Sequence, residues 1–293
     1  MGAANVIPGV SGGTIAFITG IYEPFISALK SFDATALKLL FSFKIRKFAE
    51  HVNFRFLFVM GLGIIFSLFS IGKLLGYLFE TYPIYLWAFF FGLIAISILS
   101  VGKTIRKWSL PTITWFLIGT LVAVALAFIK PAEENQNFLY LLLCGIIAMA
   151  SMILPGLSGS FVLILLGNYQ LIMLHSIPEF NIRIIIPVAI GAIIGFVILS
   201  RAINFLLHNH HDNTISTLTG FILGSLLVIW PWKDSIKLTD ATGNLILKNG
   251  KPIIQEYSWL MPELNTQTLL ALMYLLLGVA LVLIIEKLAK TSK

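Results

Sequence analysis

Charged residues are scarce in this chain: they make up 11% of its 293 residues, against about 25% in soluble domains. Hydrophobic residues reach 58%, and the mean hydropathy is +0.95. That balance excludes an ordinary water-soluble domain and points to an integral membrane protein. Cysteine is almost missing. Cys144 stands alone inside an apolar run, so there is no disulfide framework and no information about an oxidising compartment. No basic stretch leads an apolar run at the N-terminus, so no cleavable signal peptide is expected. Enzyme signatures are lacking too. There is no phosphate-loop motif, no nucleophile–base–orienter set and no pair of intramembrane carboxylates. His208, His210, His211 and Asp212 crowd together between two apolar runs, without a cysteine or a fourth type of ligand nearby. They read as a solvated turn, and neither a metal nor another cofactor is expected. The formal net charge of +7 is no sign of nucleic-acid binding, because in a membrane protein the information lies in how Lys and Arg distribute among loops.

What the chain does have is long apolar runs. A helix needs about 20 apolar residues to cross the hydrocarbon layer. Six runs qualify: 54–79, 83–101, 112–129, 185–207, 215–232 and 268–286. They must be helical, because lipid offers no partner to an open backbone amide. Residues 30–53 hold Lys30, Lys38, Lys44, Arg46 and Lys47, the densest basic loop, which the positive-inside rule assigns to the cytoplasm. The turn at 80–82 is then external, Lys103, Arg106 and Lys107 are internal, and 130–137 is external. Taking 138–174 as a hairpin that enters and leaves on the outside makes 208–214 internal and 233–267 an external loop. The last run then ends inside at Lys287, Lys290 and Lys293.

The chain also repeats itself. Pro8-Gly9-Val10-Ser11-Gly12-Gly13-Thr14 recurs, 147 residues on, as Pro155-Gly156-Leu157-Ser158-Gly159-Ser160, and the same shift places Gly20 on Gly167 and Tyr22 on Tyr169. A shift of 128 places Gly63 on Gly191, Lys73 on Arg201 and Gly92 on Gly220. The expected fold is therefore all-α and polytopic, with two inverted-topology repeats, each a re-entrant helical hairpin followed by three transmembrane helices. The first repeat is 1–137 (hairpin 1–29) and the second 138–293 (hairpin 138–174). Inverted repeats with broken helices at mid-membrane are a transporter architecture. The second hairpin has 17 residues before its proline and the first has seven, so the sequence is expected to begin inside a longer natural N-terminus.

Proline fits the first turn of a helix, and glycine lets backbone turn sharply and approach a ligand. The helices after the two motifs are expected to aim N–H groups and positive dipole ends into the membrane, an anion site. Ser11, Thr14, Ser158 and Ser160 add hydroxyls. Lys73 and Arg201, the basic residues deepest in the runs, are expensive to bury without a polar role. With the motifs they would suit a phosphate-like anion. Glu23 and His175 are the candidates for coupling to a proton or another cation. Trp230, Trp232, Trp259, Tyr82 and Tyr85 read as interfacial anchors.

The segment Met1 to Thr14, continued by Gly20-Ile21-Tyr22-Glu23, resembles the bacterial polyprenyl-phosphate transporter (PopT) family. The likeness continues at Pro155 to Ser160 and, in hydropathy, over essentially the whole chain. One departure is Asn5, where some members have Asp. The resemblance implies a multi-pass protein of the bacterial cytoplasmic (inner) membrane. It would move undecaprenyl phosphate from the outer to the inner leaflet for reuse in cell-envelope synthesis, without enzymatic activity. It also implies phosphate contacts from Pro8, Gly9, Ser11, Gly12, Gly13, Thr14, Lys73, Pro155, Gly156, Ser158, Gly159, Ser160 and Arg201. Two alternatives remain at this point, an intramembrane polyprenyl-(pyro)phosphate phosphatase and a small-anion secondary transporter. The phosphatase family has an arginine after the motif serine, where this chain has Gly159, and its glutamate-rich motif is not visible here.

Overall fold

The computed structural model describes residues 12–129, 131–177, 179–237, 247–248, 251–252 and 254–291. The motif residues Pro8, Gly9 and Ser11 lie outside them, as does the side chain of Lys73. The chain opens with α1 (Gly12–Ile18) and α2 (Tyr22–Lys30), then α3 (Ala34–Phe41) and α4 (Ile45–His51) across the basic segment expected as a loop. Asp33 begins α3 by accepting a hydrogen bond from Ala36 N at 2.9 Å, a side-chain cap for an otherwise open amide. Then come α5 (Phe54–Thr81), α6 (Pro83–Gly102), α7 (Leu110–Ala127), α8 (Phe138–Ile153), α9 (Gly159–Leu165), a π-helical turn Gln170–Ser176, α10 (Ile182–Asn209), α11 (His211–Ser225) and α12 (Thr266–Thr291).

Four helices among the described residues are long and apolar enough to cross a membrane: α6, α7, α10 and Thr266–Lys287 of α12. A fifth counts if Ile45–His51 and Phe54–Ser67, bent by 73°, form one broken span. Two boundaries differ from expectation. The seven-residue loop at 208–214 does not exist, because α10 and α11 are separated by His210 alone. Asp212 falls in the first turn of α11, where a carboxylate faces the positive helix end, and the Thr214 hydroxyl donates to His210 O at 2.8 Å. The expected span 215–232 is shorter and shifted, ending at Ser225 and giving way to turns before Pro231, whose ring disfavours helix at Trp230. Carbonyls freed beyond that end are taken up by side chains: Trp259 Nε1 donates to Leu227 O at 2.9 Å, and Lys233 Nζ donates to Val228 O.

The segment 233–267, expected as an external loop, holds short strands within an otherwise helical chain. Strands β1 (Lys233–Lys237) and β4 (Ile254–Trp259) pair antiparallel from Lys233↔Trp259, with a bulge at Ile236/Lys237. A second small pair joins β2 (Leu247–Lys248) to β3 (Lys251–Pro252). Neither pair adds a layer to the bundle.

The internal repeat has a structural counterpart. Helices α5 and α10 are both 28 residues long, begin and end 128 residues apart, and finish in matching backbone conformations at Tyr82 (φ −135°, ψ 51°) and His210 (φ −136°, ψ 49°). Helices α1 and α9 are both seven residues long and 147 apart, and the chain leaves them through Gly20 (φ 71°) and Gly167 (φ 72°). Packing follows the same pattern. The densest seams are α7 on α11, α8 on α10 and α6 on α12. Small residues let these backbones approach, since a Cβ on Gly92 would lie 2.0 Å from Leu275 O and one on Gly220 would lie 2.1 Å from Phe116 O. The main core gathers Tyr22 and Ile26 from α2, Leu93 and Ile94 from α6, and Ile215, Leu218 and Ile222 from α11. The outer faces of α7 and α12 remain apolar and exposed, as a surface solvated by lipid requires.

Candidate functional site

The two sequence motifs meet. Thr14, fully buried in α1, accepts a hydrogen bond through Oγ1 from the backbone N–H of Gly156 at 3.0 Å, across 142 residues of chain. Gly156 has φ +83°, and a Cβ there would come within 2.7 Å of Phe221 O and 2.9 Å of Ile222 N on α11. Glycine is therefore required twice over, for the left-handed backbone and for the approach to α11. On the other side α1 packs against α6 and α8. The second copy thus rests on α11 and the first on α6, helices that correspond under the 128-residue shift.

One more bond fixes this junction. The Tyr22 hydroxyl, buried at the start of α2, donates to Ile153 O at 3.3 Å, and its ring lies 4.1 Å from that of Phe17. Ile153 is the last residue of α8, directly ahead of the second motif. Without the tyrosine that helix-end carbonyl would lack a side-chain partner. At the second motif, Ser158 and Ser160 hydrogen-bond to each other at 2.8 Å, and Ser158 is buried. Pro155, Gly156, Ser158 and Gly159 are all buried and Ser160 is half-buried. Gly12 and Gly13 are buried as well. The helices leaving the motifs have only seven residues each, too short for a full macrodipole, so loop amides and hydroxyls carry the polarity of this junction.

The two cations hold matching positions in the chain. Lys73 and Arg201 fall at the twentieth position of α5 and α10 respectively. Arg201 is exposed on α10 and forms no hydrogen bond or ion pair with a described residue. Of the coupling candidates, His175 lies in the π-helical turn, and its ring likewise has no described partner. Glu23 does have one. Its Oε1 lies 3.1 Å from His211 Nε2, while His211 Nδ1 lies 3.1 Å from Asp212 Oδ1. Asp212 in turn accepts from the backbone of Arg106 at 3.3 Å and of Lys107 at 3.2 Å. The His211 hydrogen bond and these amides hold the Asp212 carboxyl below its usual range. The chain of contacts joins the first hairpin to the loop after α6 and to the start of α11.

Beside it, Glu23, Pro24 and Ser27 of α2 face Asn204, Leu207 and His208 of α10 across an open cleft of ≈ 360 Å³. At the opposite end of the bundle, Asn168 is fully buried and clamps residue 135, with Nδ2 donating to Asn135 O at 2.7 Å and Oδ1 accepting from Asn135 N at 2.9 Å. There Lys233 Nζ sits 4.0 Å above the Trp87 ring, and burial pushes its ammonium down to about 8.

Thr14 of the first motif meets Gly156 of the second, and sequence reasoning missed Tyr22 as a tether beside them and His211 as a link. The signal for Tyr22 was its recurrence as Tyr169. For His211, nothing in the spacing pairs it with Glu23, 188 residues away. Trp259, read as an interfacial anchor, also donates to the Leu227 carbonyl beyond the end of α11. No group of three or more His, Cys, Asp or Glu side chains suited to a metal occurs among the described residues.

A family model described as undecaprenyl phosphate translocase-like matches residues 1–246. A polyprenyl-phosphate transporter of Vibrio cholerae serotype O1 is 37% identical over 294 residues, covering 99% of this chain and 94% of that protein. A polyprenyl-phosphate transporter of Staphylococcus aureus is 29% identical over 249 residues, 79% of this chain and 83% of that one. No solved structure matches.

Proposed function

The chain belongs to the undecaprenyl phosphate translocase-like family, and on that footing we propose that it carries undecaprenyl phosphate between leaflets of the bacterial cytoplasmic membrane. The observation that carries this reading is the bond from Gly156 N to Thr14 Oγ1, which joins the two motif copies inside the bundle. In the proposed mechanism the phosphate head is received at this junction by motif amides and by the hydroxyls of Ser158 and Ser160, with Ser11 and Thr14 contributing from the first copy. Lys73 and Arg201 supply the positive charge from corresponding positions of α5 and α10. The prenyl chain stays in lipid throughout. The head group then never enters hydrocarbon unpaired, which is where the uncatalysed barrier lies.

Two inverted halves would let one site face each side in turn. Loop contacts support that arrangement. Asp212 meets 106–107 and Glu23 meets His211, all segments that the expected topology, with 138–174 as a hairpin, puts on the inside. Asn168 meets Asn135 and Trp230 meets Leu260, all assigned outside. Moving one negative charge inward against 100 mV costs about 2.3 kcal/mol. Net recycling therefore draws on a gradient of the lipid or on a co-transported cation, and Glu23, bonded to His211 next to the first hairpin, is the better placed coupling group.

The test is leaflet exchange of polyprenyl phosphate in proteoliposomes, comparing wild type with Arg201→Ala. Exchange by wild type and its loss in the variant are expected. Unchanged exchange in the variant removes Arg201 from the site. Absence of exchange by wild type overturns the translocase reading, release of inorganic phosphate replaces it with a phosphatase, and lipid-independent uptake of a soluble anion replaces it with an anion carrier.

A further inference from the structure

The cleft between α2 and α10 is not part of the motif junction, and its chemistry is specific. Arg201, Asn204 and His208 recur at i, i+3 and i+7 on α10, so they share one face of that helix. Asn204 and His208 line the cleft directly, opposite Ser27 and Glu23 of α2, and Arg201 stands one turn further toward the middle of the helix. We propose that this cleft is a second subsite for a phosphomonoester head group, through which the lipid head passes between Arg201 and the aqueous face.

The cleft and the turn of α10 above it offer hydrogen-bond donors. Asn204 offers an amide NH₂, Ser27 a hydroxyl, His208 a ring N–H and Arg201 five guanidinium N–H groups. The one carboxylate is Glu23, and it is already engaged by His211 Nε2 at 3.1 Å. His211 stands between Glu23 and Asp212, 3.1 Å from each, so the acid at the cleft wall is held by a ring nitrogen. A cation site would show the reverse, with oxygen acceptors converging.

The surroundings fit a lipid. From Arg201 an exposed apolar face runs back along α10 through Ile198 (62% exposed), Ile193 (65%) and Ile190 (42%). A head in the cleft would leave its chain lying along this face in contact with the bilayer. Soluble phosphate has no use for that face.

This inference rests on the translocase reading, and one design separates the two. Cys144 is fully buried, so a cysteine placed in the cleft is the one reactive thiol. Ser27→Cys and Asn204→Cys proteins, reconstituted in neutral nanodiscs, are alkylated with a water-soluble maleimide in the presence of polyprenyl phosphate, polyprenol, phosphatidylglycerol or inorganic phosphate. At ten times its dissociation constant polyprenyl phosphate slows alkylation about tenfold by mass action, and polyprenol, phosphatidylglycerol and inorganic phosphate do not at the same concentration. Adding His208→Leu raises the lipid concentration needed for protection about tenfold, the loss of one charge-assisted hydrogen bond. Equal protection by inorganic phosphate or by phosphatidylglycerol overturns the assignment to this lipid. No protection at either position, in protein that still exchanges lipid, overturns the subsite and leaves the translocase reading standing. Loss of exchange in wild type removes the reading beneath it. If one cysteine variant fails to fold, the other carries the measurement.

Discussion

Replacing Thr14 with valine keeps the shape of the side chain and deletes the acceptor for Gly156 N–H, a bond of 3.0 Å with both residues buried. An orphaned buried amide costs about 1–3 kcal/mol. Valine leaves no cavity, so this penalty stands nearly alone. Thr14→Ser is the control. It keeps the oxygen and removes one methyl group, worth about 0.8 kcal/mol. The expected order of stability is wild type, then serine, then valine. Thermal unfolding in detergent reads it directly, at roughly 2–4 °C per kcal/mol for a chain of this general size. If the proposed phosphate site is right, exchange activity follows the same order, with valine most impaired because the amide it disturbs belongs to that site. A valine variant as stable as wild type, beside a weakened serine variant, would refute the argument: Thr14 would then be a space-filler and the two motifs merely neighbours.

Two further outcomes follow from the geometry. Gly156→Ala combines a left-handed backbone, about 1–3 kcal/mol, with a Cβ 2.7 Å from Phe221 O that cannot be relieved by a side-chain rotation; it should lower the unfolding temperature far more than Gly61→Ala, where nothing lies within 4 Å. Lys233, held down to about 8 by burial, sheds in the folded state a proton that the unfolded chain keeps to about 10.4. Its contribution to stability is complete above that unfolded value and is lost as pH falls through about 8. The unfolding temperature of wild type relative to Lys233→Met should therefore rise from pH 8 to pH 10, and parallel curves would rule the effect out.

Much of the molecule was legible because lipid imposes simple rules. Apolar runs had to be helices, and α5, α6, α7, α10 and α12 begin within three residues of their expected starts. The paired Pro-Gly-x-Ser-Gly motifs located the junction because proline and glycine encode a break directly. What stayed hidden depends on neighbours. The end of α11 at Ser225 depends on Trp259 and Lys233 reaching back to Leu227 and Val228, and no local pattern announces such donors. The strands β1 and β4 lay in a segment too polar to read as sheet. His211 looked like part of a histidine-rich turn until α2 brought Glu23 beside it. Arg201 was legible as a cation within an apolar run, but its exposure depends on the rotation of α10, which packing against α8 and α2 sets.

The crossing seams of the bundle bear on how the protein is made. Helix α6 closes its glycine seam at Gly92 only against Leu275 of α12, far later in the chain. Helix α7 likewise waits for α11, with Gly119 against Thr217. Until then both seams face lipid. Neither α6 nor α7 can reach its final packing before α11 and α12 are made, and a stalled chain released before α12 would present an open, small-residue groove to quality-control proteases of the membrane.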